Sequence, residues 1–440
     1  MKQHQITTVI LILCLLITAC QPTPEVTPVI QKTLEPFTPA SITEADGAYA
    51  APSYLKTTSK MPGNLTISVQ APVDIAMKNG FPVAVLSRRP VTNKEAADVL
   101  SALGYWREVY LVPETYSRSE LETYLLRMEQ QGVPETYSEE EFNRIMQTLK
   151  AEIKAAPSEV EKVAFDPYAW AEKDDELPPI VIEDEAGQQY ALTLSDGDLI
   201  FSRANILVQQ QSLMEEPISP QSIKISEQEA MARGEALLKT LDIENMTLSL
   251  IEPARILESP PVPLEPACLS YGYWLCFMRE MHGLATPYIG RSVGGRIGYA
   301  PDYAAPWRQE RVDVYIDETG IQFLSLISRC DIRSVLTQNA TLLPFETIQQ
   351  RMLDQLRYKH IWNQGELPPL IDVYHIRLGL SIVQIPNTQD GVYLMPTWYI
   401  YYHLIREEST REDVIALSGL DGGCIEPRIS TAILSQVNGG

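Results

Sequence analysis

Four histidines beyond the first twenty residues, four cysteines in the second half and a large surplus of carboxylates are the side chains that could do chemistry. His282, His360, His375 and His403 follow no metal-ligand spacing, so neither a metal nor another cofactor is expected. His375 and His403 fall on strands expected to be neighbours, where a surface pair is the simpler outcome than a zinc site. The sequence holds no Gly-x-Ser-x-Gly elbow, His-Glu-x-x-His helix or Walker loop. Gly290, Gly294, Gly295 and Gly298 with Arg291 and Arg296 suggest a phosphate cradle only loosely, because they do not sit between a strand and a helix. Cys268, Cys276, Cys330 and Cys424 allow three disulfide pairings. Cys268 with Cys276 is the expected pair by nearness in sequence, on condition that the two do not share one strand.

One stretch combines aromatic rings with guanidinium groups. Residues 282–311 are long, short of periodicity, and carry Tyr288, Arg291, Arg296, Tyr299, Tyr303, Trp307 and Arg308. Long ordered loops are often functional, and aromatic and Arg side chains are enriched in interfaces. A binding loop that contacts an envelope protein or glycan is one reading of it. The competing and simpler reading is an insertion whose tyrosines pack on a sheet.

Charge narrows the partners. The chain has 57 Asp and Glu against 35 Lys and Arg, a formal charge of −22, so nucleic acid is an improbable ligand. Residues 114–185 hold 19 acids against 7 bases, which fits solvated helix faces. Ser195-Asp196-Gly197-Asp198 reads as a hairpin turn rather than a calcium loop.

The first twenty residues carry an address. One Lys precedes an apolar run over residues 9–17, and Ile17-Thr18-Ala19-Cys20 follows. The run is too short to span a bilayer stably and fits a secretory signal. It resembles the lipobox of bacterial lipoproteins, which implies cleavage before Cys20 and diacylation of its thiol, with palmitate-like chains holding the protein on the extracytoplasmic face of the cell membrane. An uncleaved signal anchor and a plain signal peptide with an incidental cysteine are the other readings. Residues 20–60 are rich in Pro and Thr and are expected to form a disordered tether after a signal at 1–19.

Elements follow from periodicity. Alternating apolar residues predict strands at 65–69 and 81–86, and Thr92 with Glu95 caps a helix through Ala96, Val99, Leu100 and Leu103. Val112-Pro113-Glu114-Thr115-Tyr116-Ser117 recurs as Val133-Pro134-Glu135-Thr136-Tyr137-Ser138, and each copy starts an amphipathic helix capped through Glu120 or Glu141. The pair predicts an αα-hairpin. Strands at 180–182, 190–194 and 199–208 complete an N-terminal α+β domain over 61–215. Residues 220–335 then read as a helix opened by Ser226 and Glu229 followed by strands, and residues 340–430 as the same order again, with Pro344 at the helix start. The aromatic strand around Trp398, Ile400 and Tyr402, with Tyr399 and Tyr401 on its other face, is expected in the core.

The expected fold class is therefore α+β: an N-terminal block with a helical hairpin, then two units of a helix plus an antiparallel meander. This second half resembles the repeated modules of PepSY-type domains and exported regulators of sensor kinases. Cys20-Gln21-Pro22-Thr23-Pro24, Leu343-Pro344-Phe345-Glu346, and Tyr393-Leu394-Met395-Pro396-Thr397-Trp398 with Leu420-Asp421-Gly422 resemble an uncharacterised family of Firmicutes lipoproteins. The resemblance implies no activity. The leading expectation is a non-catalytic, membrane-anchored binding or regulatory module. A cell-envelope hydrolase, betrayed by clustered carboxylates of raised pKa in a cleft, and a solute-binding lipoprotein with two parallel-sheet lobes are the alternatives.

Overall fold

A computed structural model describes residues 42–61, 65–104, 106–113, 115–134, 137–173, 175, 177–214, 216–259, 262, 264, 266–289, 303–360, 370–384, 392–406 and 409–426. Among these, nineteen strands outnumber six α-helices. In chain order the first half comprises β1 Tyr54–Lys60, β2 Thr66–Asp74, β3 Val83–Arg88, α1 Asn93–Leu103, β4 Trp106–Leu111, α2 Arg118–Gln131, α3 Glu139–Ala155, α4 Pro167–Trp170, β5 Ile180–Asp184, β6 Gln189–Ser195, β7 Asp198–Arg203 and β8 Ile206–Gln210. The second half comprises α5 Glu227–Thr240, β9 Met246–Glu258, β10 Cys268–Met281, β11 Leu284–Ala285, β12 Tyr303–Ala304, β13 Arg311–Asp317, β14 Gly320–Ile327, β15 Cys330–Thr337, α6 Phe345–His360, β16 Leu370–Gln384, β17 Val392–Ile405, β18 Thr410–Ser418 and β19 Cys424–Glu426.

These strands form two large sheets, which corrects the expected α+β arrangement of helix-plus-meander units to a mostly β fold. The first, nine-stranded sheet runs β1-β2-β16-β12-β19-β18-β17-β3-β15, and β16 also pairs with β17, so this sheet curls back on itself. The second runs β4-β5-β6-β7-β14-β13-β10-β9-β8, with β11 beside β10. Strand pairs cross between the segments 61–215, 220–335 and 340–430. β2 pairs in parallel with β16, Thr66 opposite Leu370, and β3 lies between β15 and β17. The N-terminal strands thus close a sheet built mainly from the C-terminal third. Almost all pairs are antiparallel, unlike the parallel lobes a solute-binding protein would show.

Local signals work as chemistry dictates. Thr92, Ser117 and Ser138 each accept from the amide three residues on, while Glu95, Glu120 and Glu141 return a bond to the cap amide. The hairpin of α2 and α3 has its own small core of Leu121, Met128, Phe142 and Leu149, and its acidic residues lie on exposed faces. Asp196 and Gly197 both take positive φ, 54° and 78°, as a two-residue turn between β6 and β7 requires. α6 lays Phe345, Ile348, Met352 and Leu356 on one face of the first sheet, while α1 and α5 bury Leu100 and Leu237 on the second. Residues 42–60, read as tether, belong to the fold: β1 pairs with β2, and Glu44 bridges Ala340.

Ion pairs lock the two sheets together. The buried carboxylate of Glu310 accepts from Arg279 on β10, from Arg329 Nη1 at 3.0 Å and from the Cys330 amide at 3.2 Å, at the start of β15. Beside it, Asp198 in the second sheet accepts from the Ser328 amide at 2.7 Å and pairs with Arg308 at 2.8 Å and Arg88 at 3.4 Å, the last on β3. Removing one partner of a buried pair leaves the other charge uncompensated, a cost of about 3–5 kcal/mol. Glu310→Gln should therefore lower unfolding free energy by about that amount in urea titration, against under about 1 kcal/mol for Glu318→Gln in its exposed pair with Lys224.

Candidate functional site

The expected binding loop turns its described residues inward. Tyr288 is half-buried, its amide donates to Ser249 Oγ at 2.8 Å, and burial raises its hydroxyl pKa, with Cys276, Asp313, Arg311 and Gln210 nearby. Tyr303 is 2 % exposed and its hydroxyl donates to Asp421. Trp307 packs against the core of the first sheet, and Arg308 reaches Asp198. These side chains hold the connection against both sheets. Tyr288, Tyr303 and Trp307 thus take part in packing, as the competing reading of the loop expects. Arg291, Arg296 and Tyr299 lie outside the described residues, as does Cys20.

Cys268 and Cys276 share β10, eight residues apart, which at about 3.4 Å per residue exceeds the Cα separation a disulfide tolerates several-fold. All four described cysteines are free thiols, with Cys268 exposed and Cys276, Cys330 and Cys424 buried. Burial pushes the Cys276 thiol well up and the Cys330 thiol up to about 12.

Burial also raises Asp313 and Glu252, the pattern a hydrolase would require. Asp313, however, is 1 % exposed and is held by Arg311 at 2.8 Å and Ser325 at 3.1 Å. Glu252 receives the amide and hydroxyl of Ser212 at 2.9 and 3.0 Å. Both serve the interior. Among the described residues no three His, Cys, Asp or Glu side chains converge as a metal site.

A better candidate lies on the open part of the first sheet. The face that carries Tyr393, Met395 and Tyr399 inward continues along β16 and β17 beyond Gly379, where Ala285 and Pro287 of the second sheet's hairpin seat. A Cβ at Gly379 would meet the Ala285 carbonyl oxygen at 2.8 Å, so glycine permits this close approach. Past that point four rings line up across the strands. His375 stacks with Tyr401 at 5.5 Å, Tyr401 meets Tyr374 at 6.4 Å, and Tyr374 stacks with His403 at 4.4 Å. A carboxylate stands at each end: Asp74 lies 2.6 Å from His375 Nε2, and Glu412 lies 3.5 Å from His403 Nε2.

A β-bulge makes this row possible. Adjacent strand residues point to opposite faces, so Tyr374 and His375 should not share one. The register of β16 against β17 shifts between Val373 and His375, which sets both on the open face while Val373 and Ile376 remain in the core. Alternation alone hides the arrangement. His375 and His403 are therefore on neighbouring strands but separated by two tyrosines. The mutual stacking uses ring faces, so the part-exposed edges of Tyr374, His375 and His403 are what the row presents. Tyr401 is the deepest ring, and burial pushes its hydroxyl up to about 12. Arg377 extends the row beside Tyr399 and Tyr401. Such a strip can donate and accept hydrogen bonds along a line.

No protein-family model matches the chain, and no curated protein does. Among solved structures it is similar to an uncharacterised protein from Eubacterium rectale ATCC 33656, at 11 % identity over 85 % of this chain and 94 % of that one, with a TM-score of 0.44. That likeness is too weak to transfer a fold or a role.

The cysteine environments make one outcome definite. With Cys14 and Cys20 replaced by serine, the native protein at pH 8 should show one fast thiol with a disulfide reagent, Cys268, and four after denaturation. Two or more fast thiols would contradict the burial described.

Proposed function

We propose that this chain is a lipid-anchored extracytoplasmic binding protein that offers the ring row Tyr374, His375, Tyr401 and His403 to another component of the cell envelope. The row carries the reading: polar ring edges fixed in a line on an open sheet face, with a carboxylate at either end. Preorganised groups of this kind lose little freedom on binding, which favours recognition. The anchor reading rests on the sequence before residue 21 and its likeness to a lipobox. Two acyl chains on Cys20 would give stable attachment, where one is marginal. With residues 42–60 in the fold, at most about 22 residues remain for the tether, a reach on the order of 70 Å if all are extended. Its partner is an envelope protein or glycan.

Two measurements test the two halves of this reading. In cells fed labelled palmitate, the wild-type chain should take up label and sediment with membranes, while Cys20→Ala should lose the label and become soluble after signal removal. For the contact face, a photo-crosslinking amino acid at position 374 or 403 should give an adduct of discrete mass on intact cells, absent when it replaces Tyr168, which is 52 % exposed elsewhere. Adducts at 168 with none at 374 or 403 would transfer the role away from the ring row.

A further inference from the structure

The chain enters the first sheet through a short segment whose bonds differ in kind from those of the strands. The Ala45 amide donates to the Asn339 carbonyl at 2.9 Å, and the Thr341 amide donates to Thr43 at 2.8 Å. The Asn339 side chain clamps the same place, donating to Ala45 at 2.9 Å and accepting from the Gly80 amide at 2.8 Å. Thr337 Oγ1 donates to Glu44 at 3.1 Å. Farther along, the Tyr49 amide donates to Lys78 and its hydroxyl to the Leu343 carbonyl at 2.7 Å, just before α6. Its ring lies 5.8 Å from Phe81 and 6.1 Å from Trp398. Phe345 of α6 meets the same Trp398 at 5.3 Å.

We infer that residues 42–51 are a releasable strap: a segment that opens independently of the sheets and, in opening, uncovers the apolar floor of Phe81, Trp398 and Phe345. Three features carry this. The strap has few hydrogen bonds to the rest of the molecule, all at the periphery of the sheet. Its main apolar anchor is one half-buried tyrosine, packed from above onto residues that are themselves 0–2 % exposed. The bonds at Thr43 and Ala45 come first along the chain, so a pull from the N-terminal side loads them one after another, and the Tyr49 anchor next. Segments with few buried contacts open at a free energy well below that of global unfolding. The inference uses the tether reading only for what would load the strap. Its bonds and their opening are properties of the folded chain.

Amide hydrogen exchange on the soluble mature chain tests it without a membrane. The amides of Ala45, Tyr49 and Thr341 should exchange together, at least about ten-fold faster than that of Ile400 in the centre of the first sheet. Tyr49→Phe keeps the ring contacts and removes the bond to Leu343, so it should accelerate those three amides about five-fold and leave Ile400 unchanged. Exchange of the three amides at the rate of Ile400, or equal acceleration of all four in the variant, would overturn the inference. Loss of palmitate labelling would not touch it, so failure of the anchor and failure of the strap are separately visible.

Discussion

The structure depends on one buried carboxylate. Glu310 sits where the second sheet's β10 and the first sheet's β15 come together, and its two oxygens satisfy Arg279, Arg329 and the Cys330 amide at once. Charges are costly to bury, and this group is tolerable only because each oxygen is matched. The same matching makes the junction specific: any sliding of one sheet on the other would strand a guanidinium. Asp198 repeats the device a short distance away, with Arg88, Arg308 and an amide around it. Arg89, paired with Glu95 at 2.7 Å and Asp331 at 3.1 Å, extends the network to the cap of α1. The two sheets are thereby one body, and the ring row on the first sheet has a fixed setting beside the second.

Much of the local structure was legible. The capping pairs at Thr92, Ser117 and Ser138, the α2–α3 stripes and the Asp196-Gly197 turn are short-range consequences of side-chain chemistry, so a single sequence window contains them. Sheet membership was not, because nothing in a strand's own alternation names its neighbour. Thr66 pairs with Leu370 and Val83 with Thr337 across hundreds of residues, and a reader of local order assigns such strands to the nearest meander. The ion pairs near residue 310 were not legible for a related reason. Arg308, Glu310, Arg311 and Asp313 pair with one another and with residues far away in sequence, which no local window shows. The ring row was hidden by a single inserted residue, since the bulge at Tyr374 reverses the parity on which any face assignment rests.

The ring row and the strap share β17. Tyr49 covers Trp398 on the strand's inner face, and Tyr401 and His403 rise from the other face a few residues on. A strand of fourteen residues with buried aromatic rings on both sides transmits position well, because close-packed interiors shift as units rather than flow. What the strap does to Trp398 therefore acts on the same rigid element that displays the outward rings. The buried run from Lys359 and His360 through Tyr402 to Asp413 ties that element to α6 as well.

The interleaving of the two sheets has a consequence for how the chain comes into being. Strands β1 to β3 are made first and β1 can pair with β2 at once, but the second partner of β2 and both partners of β3 lie beyond residue 329. The second sheet can assemble in the meantime, since its strands all lie between residues 106 and 327. The core around Val69, Val73 and Leu86 cannot close until nearly the whole chain has been made. Long-range pairing of this kind is intrinsically slow, and unpaired apolar strands invite association in the interval. Maturation should thus be the hazardous stage of this protein's life, with the carboxyl-terminal strands acting as the late closure that ends it.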